Sequence, residues 1–214
     1  MPTVLSTKRL TPVQKKHFLL SGIGVVDYDA VHIKDLDLRL NSTHIVNAIF
    51  TSQNAVMIAK AKQLTVKHAF CVGKNTAKAA QDIAEEILEI AENARALSRI
   101  IIENYNSISF DFFCSRQRRD ELPEALKKHE IKFQEYHIYE SVINPQQFPN
   151  QFDAVLCFSP LGVKAYFDNH NFRPPAICIG STTTQTAQAY TCVHTATKTS
   201  IDSVVLKAIK VVKP

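Results

Sequence analysis

The sequence predicts an α/β protein of two lobes, each a small parallel sheet flanked by helices. Three observations carry this. Short apolar strands, polar turns and helical segments alternate along most of the chain, the signature of a parallel sheet. The pattern restarts at about half the 214-residue length. The composition, 45% hydrophobic and 21% charged, is that of a folded globular chain and excludes disordered, fibrous and low-complexity classes.

The elements follow in order. Val4-Leu5-Ser6-Thr7 reads as a short strand with a polar end. Thr11 then N-caps a helix with Pro12 at its first position. Val13, His17, Leu20 and Ser21 form one face of it, and Gly22 stops it. Ile23 to Tyr28 is a second strand, and Val31-His32-Ile33-Lys34 alternates like a half-exposed strand or connector. Ile45 to Phe50 is a strand, Thr51 to Asn54 a polar turn, and a helix begins at Ala55. His68 to Val72 is a strand, Gly73 to Thr76 a turn, and a helix begins at Ala77. Phe110 to Cys114 is a strand, Ser115 to Gln117 a turn, and Arg118 to His129 a helix with Arg118 and Arg119 on its exposed face. Ala154 to Phe158, Ser159 to Gly162 and Val163 to Asn169 repeat the unit. Ala176 to Ile179 is a strand, Gly180 to Thr183 opens a helix, and a last helix runs from Ser200 to Val211.

The two halves match. Phe50-Thr51-Ser52 corresponds to Phe158-Ser159-Pro160, and Cys71-Val72-Gly73 to Cys178-Ile179-Gly180, at offsets of 108 and 107 residues. An internal duplication explains both. It also decides an ambiguous region. Periodicity alone allows one long helix from Thr76 to Asn104. The matching region of the second half is interrupted by β-prone Thr191-Cys192-Val193-His194. A short strand is therefore expected near Ile87 to Ala91, between two helices.

Several chemistries are disfavoured. The net charge of +5 is modest and scattered, and no aromatic-basic interleaving appears, so nucleic-acid binding has little support. No apolar run reaches the roughly 18 residues of a membrane span. Met1 to Leu10 lacks the apolar stretch of a signal peptide. Cys71, Cys114, Cys157 and Cys178 lie in apolar runs and read as core residues. The odd cysteine count and the absence of C-x-x-C spacing argue against a disulfide framework, and reduced thiols imply the cytoplasm. The eight histidines show no paired ligand spacing, so no metal is expected. No dinucleotide, P-loop or H-E-x-x-H motif is present, so no cofactor is expected.

What remains is a set of hydroxyl-rich turns at strand carboxyl ends. They are Ser6-Thr7-Lys8, Thr51-Ser52, Lys74-Asn75-Thr76, Ser115-Arg116, Ser159 and Ser181-Thr182-Thr183. Ligands of open α/β sheets bind at this edge. Each turn precedes a helix, whose free N–H groups and dipole favour anions. Simple N-capping explains any one turn equally well. Turns of this kind on two lobes, some beside Lys or Arg, point to a polyanionic ligand. In Tyr136-His137-Ile138-Tyr139, strand alternation puts His137 and Tyr139 on one face.

The ordered set Phe50-Thr51-Ser52-Gln53-Asn54-Ala55-Val56, Cys71-Val72-Gly73-Lys74-Asn75-Thr76-Ala77, Cys114-Ser115-Arg116, Arg119-Asp120-Glu121-Leu122-Pro123, Ile138-Tyr139-Glu140, Phe158-Ser159-Pro160-Leu161-Gly162-Val163 and Ile179-Gly180-Ser181-Thr182-Thr183 resembles the uroporphyrinogen-III synthase family over nearly the whole chain. The resemblance implies that residues 1–33 and 142–214 form a discontinuous lobe and 34–141 an inserted one. It implies a two-stranded connector near Val31 to Asp37 and Tyr136 to Val142. The implied reaction cyclises hydroxymethylbilane, a linear polycarboxylate tetrapyrrole, with loss of water and inversion of the last ring, and needs no cofactor or metal. By the same resemblance Tyr139 is the candidate general acid. Thr7, Lys8, Thr51, Ser52, Lys74, Asn75, Thr76, Ser115, Arg116, Ser159, Thr182 and Thr183 are the candidate substrate-binding residues. A cytoplasmic monomer with a small-molecule substrate is expected, acting on neither nucleic acid nor membrane. The competing expectation is a two-lobed protein that binds a tetrapyrrole or another anion without turnover.

Overall fold

The computed structural model describes residues 1–37, 40 and 42–213. The chain divides into two units, Met1–His32 with Val142–Pro214, and Ile33–Ser141.

In the first unit the chain runs β1 (Thr3–Ser6), α1 (Pro12–Leu20), β2 (Gly24–Asp27) and the beginning of β3 (Val31–Asp35). It returns with β9 (Ala154–Cys157), α6 (Pro160–Phe167), β10 (Ala176–Cys178), α7 (Ser181–Ala187), β11 (Val193–Thr195) and α8 (Ile201–Val212). The intervening β4 to β8 and α2 to α5 belong to the second unit. The first sheet has the order β11-β10-β9-β1-β2, with every neighbouring pair parallel. Strand alternation sorts its side chains onto two faces. Leu5, Val155, Cys157, Ala176 and Cys178 pack with Val163, Tyr166 and Phe167 of α6 and Ala187 of α7. Val4, Ala154, Leu156 and Ile177 pack on the other side with Phe18 of α1 and Val204, Val205 and Ala208 of α8. Both faces are covered, so these strands are continuously apolar.

In the second unit the elements are β4 (His44–Phe50), α2 (Gln53–Ala61), β5 (Thr65–Val72), α3 (Lys74–Ala80), β6 (Ala84–Ala91), α4 (Ala94–Asn104), β7 (Phe110–Ser115), α5 (Glu121–Lys128) and β8 (Phe133–Ile143). The sheet order is β3-β8-β7-β4-β5-β6. The pairs β8-β7, β7-β4, β4-β5 and β5-β6 are parallel. Phe50, Ala69, Cys71 and Phe113 face α2 and α3. Ile49, Phe70, Phe112 and Cys114 face α4 and α5. The chain passes between the units in β3 and again in β8.

The topologies correspond. In the second unit β4-α2-β5-α3-β6-α4 is followed by β7-α5-β8. In the first, β9-α6-β10-α7-β11-α8 has the same course, and β1-α1-β2 supplies the counterpart of β7-α5-β8 from the opposite end of the chain. The first unit is therefore a circular permutation of the second. The strand expected near Ile87 is present as β6, flanked by α3 and α4 as the second half required.

Four local expectations are corrected. The α1 face of Val13, His17, Leu20 and Ser21 is the solvent face, with Val13 68% and Leu20 75% exposed, while Phe18 is the buried anchor. Nothing in the sequence marks which weak stripe of a short helix will be covered. Helix α5 starts at Glu121 rather than Arg118, because Arg118 folds back to an ion pair with Glu135 and is only 17% exposed. The turn at Ser115-Arg116 does not run straight into its helix, since α5 is capped at Asp120, whereas Ser6-Thr7-Lys8 precedes α1 capped at Thr11 as expected. Finally, His137 and Tyr139 do not share a face. The register of β7 on β8 shifts between Cys114, opposite His137, and Ser115, opposite Tyr139. This bulge inserts one residue and turns Tyr139 to the side of Tyr136 and Ile138.

Candidate active site

Parallel strands bring their carboxyl ends to one edge of each sheet, and the candidate residues fall there unit by unit. In the second unit Ser52 is the N-cap of α2. Its backbone is extended and its Oγ accepts from the Ala55 N–H at 3.1 Å. The same Oγ lies 2.8 Å from the Tyr139 hydroxyl, and either oxygen can donate in that bond. The partners come from β4 and β8, on opposite sides of β7. Strands lie about 4.8 Å apart, so the tyrosine reaches across two strand spacings. Its floor is aromatic: Phe50 stacks on Phe113 at 5.5 Å, and Phe113 on Tyr136 at 5.2 Å between centroids. The Tyr139 side of β8 is thus part of the packed core, and the residue is only 6% exposed. Its polar tip ends on a helix cap.

Ser115 and Arg116 stand at the end of β7. The Ser115 hydroxyl donates to Gln117 Oε1 at 3.0 Å, and the Ser141 N–H donates to the same oxygen at 3.0 Å. Gln117 Nε2 donates to the Ser141 carbonyl at 3.1 Å. Gln117 therefore staples the end of β7, opposite Tyr139, to β8 two residues beyond Tyr139. Arg116 is exposed and donates to Glu140 at 2.9 Å, and Lys34 lies 3.7 Å from the same carboxylate. Neither Gln117 nor Glu140 was expected from the sequence as a supporting residue. The adjacency of 115–117 to a tyrosine strand was the only available signal. At the end of β5, Gly73 has φ +86 and no side-chain cap, leaving the first turn of α3 to its backbone donors. Lys74 and Asn75 are exposed, and Thr76 is buried behind them. Thr51 is half-buried beside Ser52.

In the first unit, Ser159 caps α6 by accepting from the Gly162 N–H at 3.0 Å. Thr7 is buried and donates to the Leu156 carbonyl at 2.8 Å. Gly162 permits this packing, because a Cβ there would meet Thr7 Oγ1 at 3.0 Å and Ser159 Oγ at 3.3 Å. Lys8 is exposed. Thr182 is exposed in the first turn of α7, whereas Thr183 is buried. The structure thus brings Thr7 and Ser159 together in one unit and Ser52 and Tyr139 together in the other.

One set of potential metal ligands escaped the sequence reading because its members are distant in the chain. Among the described residues Cys114, Glu135 and His137 bring ligand atoms within 4.8 Å of one another. The donor set fits a cation poorly. Arg118 holds Glu135 through Nε at 2.7 Å and a terminal nitrogen at 2.6 Å, and Lys127 approaches to 3.7 Å. Burial, with the nearby Glu135 carboxylate, pushes the Cys114 thiol up to about 12, so it stays protonated. These groups form a polar network on the face of the sheet opposite Tyr139.

A family model described as uroporphyrinogen-III synthase HemD matches residues 23–205. Among solved structures, the chain is similar to uroporphyrinogen-III synthetase from Helicobacter pylori, with TM-score 0.72 and 19% identity over 98% of this chain and 99% of that one. It is also similar to a mutant uroporphyrinogen III synthase from Thermus thermophilus, with TM-score 0.62 and 11% identity over 99% of this chain and 98% of that one. At these identities the structures establish the fold. A search of curated protein sequences gives no match. The family model spans most of the sequence, and its extent is the ground for assigning function: the chain belongs to the uroporphyrinogen-III synthase family, the cofactor-independent lyases that cyclise hydroxymethylbilane.

Proposed function

We propose that this chain carries out the family reaction with Tyr139 as the general acid. The observation that carries the assignment is the hydrogen bond between the Tyr139 hydroxyl and the capping Ser52 at the carboxyl edge of the second sheet. In the step assigned to it, Tyr139 gives its proton to the terminal hydroxyl of hydroxymethylbilane. The carbon–oxygen bond breaks, its electron pair leaves with oxygen as water, and a cationic azafulvene remains. The pyrrole carbon attacked in ring closure later loses one proton as it rearomatises, and that proton restores Tyr139. General-acid assistance of this kind is worth about 10²–10⁴-fold.

Thr7, Lys8, Thr51, Ser52, Lys74, Asn75, Thr76, Ser115, Arg116, Ser159, Thr182 and Thr183 are proposed to form the site for the substrate carboxylates, with Ser52, already bonded to Ala55 and Tyr139, shaping the site rather than donating to them. The exposed Lys8, Lys74, Asn75, Arg116 and Thr182 would meet them directly. Thr7 and Ser115 would serve chiefly to fix the strand ends, since their hydroxyl protons already go to Leu156 and Gln117. The lobes are read as 1–33 with 142–214, and 34–141. The chain is read as a monomer acting on this one small-molecule substrate. The free thiols of all five cysteines support action in the cytoplasm.

The test is isomer analysis. Purified protein given hydroxymethylbilane is expected to yield the type III uroporphyrinogen, whereas spontaneous closure yields type I. Type I alone, or binding without turnover, would overturn the assignment of activity.

A further inference from the structure

We infer that Ser52 is the positioning residue of the general acid: it ties the Tyr139 hydroxyl to the N-terminus of α2 and so frees the tyrosine proton for the substrate. The inference rests on the assignment of Tyr139 as the acid.

A serine hydroxyl has one proton and two acceptor sites. At Ser52 one acceptor site is filled by the Ala55 N–H at 3.1 Å. The proton remains, and the Tyr139 oxygen is 2.8 Å away to receive it. With Ser52 donating, the Tyr139 proton has no claim on Ser52 and can point elsewhere. Once that proton has gone to the leaving hydroxyl, the phenolate oxygen is left facing a donor. That donor is polarised by a backbone N–H and sits at the positive end of α2, a helix of nine residues. A hydrogen bond to a charged oxygen is stronger than one to a neutral oxygen, so this contact tightens as charge develops.

Two features argue that the contact is built rather than incidental. Regular alternation along β8 would send Tyr139 to the face of Glu135 and His137, and the bulge opposite Cys114 and Ser115 reverses it. Ser159, the corresponding cap in the first unit, accepts from Gly162 in the same way but has Thr7 beside it, where Ser52 has a tyrosine hydroxyl. A cap alone therefore does not require the tyrosine.

The experiment separates capping from positioning by steady-state kinetics of type III formation and by thermal melting. Ser52→Ala removes both roles. Its kcat is expected to fall about 10- to 100-fold, the worth of a hydrogen bond to a charged group, with KM changed far less. Ser52→Asn keeps an N-cap and should recover the melting temperature but not kcat. Ser52→Thr keeps both roles and should restore most of kcat. Asn93→Ala strips an N-cap of the same kind from α4, two strands away from β4, and should lower the melting temperature without lowering kcat. If Ser52→Asn restores kcat along with stability, Ser52 acts only as a cap and the inference fails. It also fails if Ser52→Ala leaves kcat intact while Tyr139→Phe lowers it, an outcome under which Tyr139 stands as the acid. If Tyr139→Phe itself leaves kcat unchanged while type III product still forms, the acid assignment falls and takes the positioning role with it.

Discussion

The equivalent strands β2 and β8 each carry a carboxylate shielded by cations and each carry or lead into a buried tyrosine, and the two units treat these groups differently. In the first unit Tyr28 follows β2, lies wholly in the core beside Phe148, and its hydroxyl is buried without a partner among the described residues. Burial pushes that hydroxyl up, with Cys157 and Tyr166 adding to the effect. In the second unit Tyr139 on β8 buries its ring nearly as fully but delivers its hydroxyl to Ser52. The carboxylates differ too. Asp27 on β2 faces Lys15 and Arg9, and Glu135 on β8 faces Arg118 and Lys127. One architecture thus leaves a tyrosine hydroxyl buried without a partner among the described residues in one unit and ties it to a helix cap in the other, where the strand carries a register shift of one residue.

Exchanging these groups pair by pair probes the contrast. The largest effect is expected at the site tyrosine: Tyr139→Phe should lower kcat about 100-fold or more while the urea midpoint barely moves. A normal rate would mean that both tyrosines are packing residues and would erase the contrast. Next comes Glu135→Gln. It leaves Arg118 half-buried with its main partner neutralised, and should cost about 2 kcal/mol in urea unfolding, less than a fully buried pair because both side chains keep some solvent. A change under about 0.5 kcal/mol would show the pair to be a surface contact.

The third effect is a pH dependence at Asp27. Burial raises its carboxyl, but hydrogen bonds from Lys15 and the Leu10 N–H, with the charges of Lys15 and Arg9, outweigh it and bring it below its ordinary 3.8. A depressed carboxyl contributes stability above its unfolded value and loses it as pH falls through the folded one. Denaturation curves below about pH 4 should therefore fall less steeply for Asp27→Asn than for the parent. Equal slopes would assign the acid sensitivity to other groups. The smallest effect is at Tyr28. Tyr28→Phe removes an unpartnered buried hydroxyl and should be neutral or stabilising by up to about 1 kcal/mol, with kcat unchanged. A marked destabilisation would reveal a partner for that hydroxyl.

Much of this fold was legible from one dimension. Thr11, Ser52, Ser159 and Ser200 cap their helices because a hydroxyl before an apolar periodic run has a local role that needs no tertiary information. Even β6, whose Ala84-Glu85-Glu86-Ile87 has a helical look, was recoverable by comparing halves. The bulge in β8 was not. It depends on which residue of β7 lies opposite, and alternation within β8 carries no trace of that. The return of Arg118 to Glu135 and the Gln117 staple were hidden for the same reason, since they join residues 17 and 24 positions apart in the chain. The candidate turns could be read; the partner that each hydroxyl takes could not.

The permuted order of the first unit has a consequence for how the chain assembles. Strand β1 pairs with β9 in a register that sets Val4 against Ala154, a separation of 150 residues. During synthesis the first two strands emerge long before their neighbours exist. The second unit is contiguous and can close while β1-α1-β2 still waits. Its completion brings the two ends of the interrupted unit nearer, shortening the effective loop and lowering an entropic cost that grows with the logarithm of loop length. The inserted unit thereby acts as the template on which the chain's ends find each other.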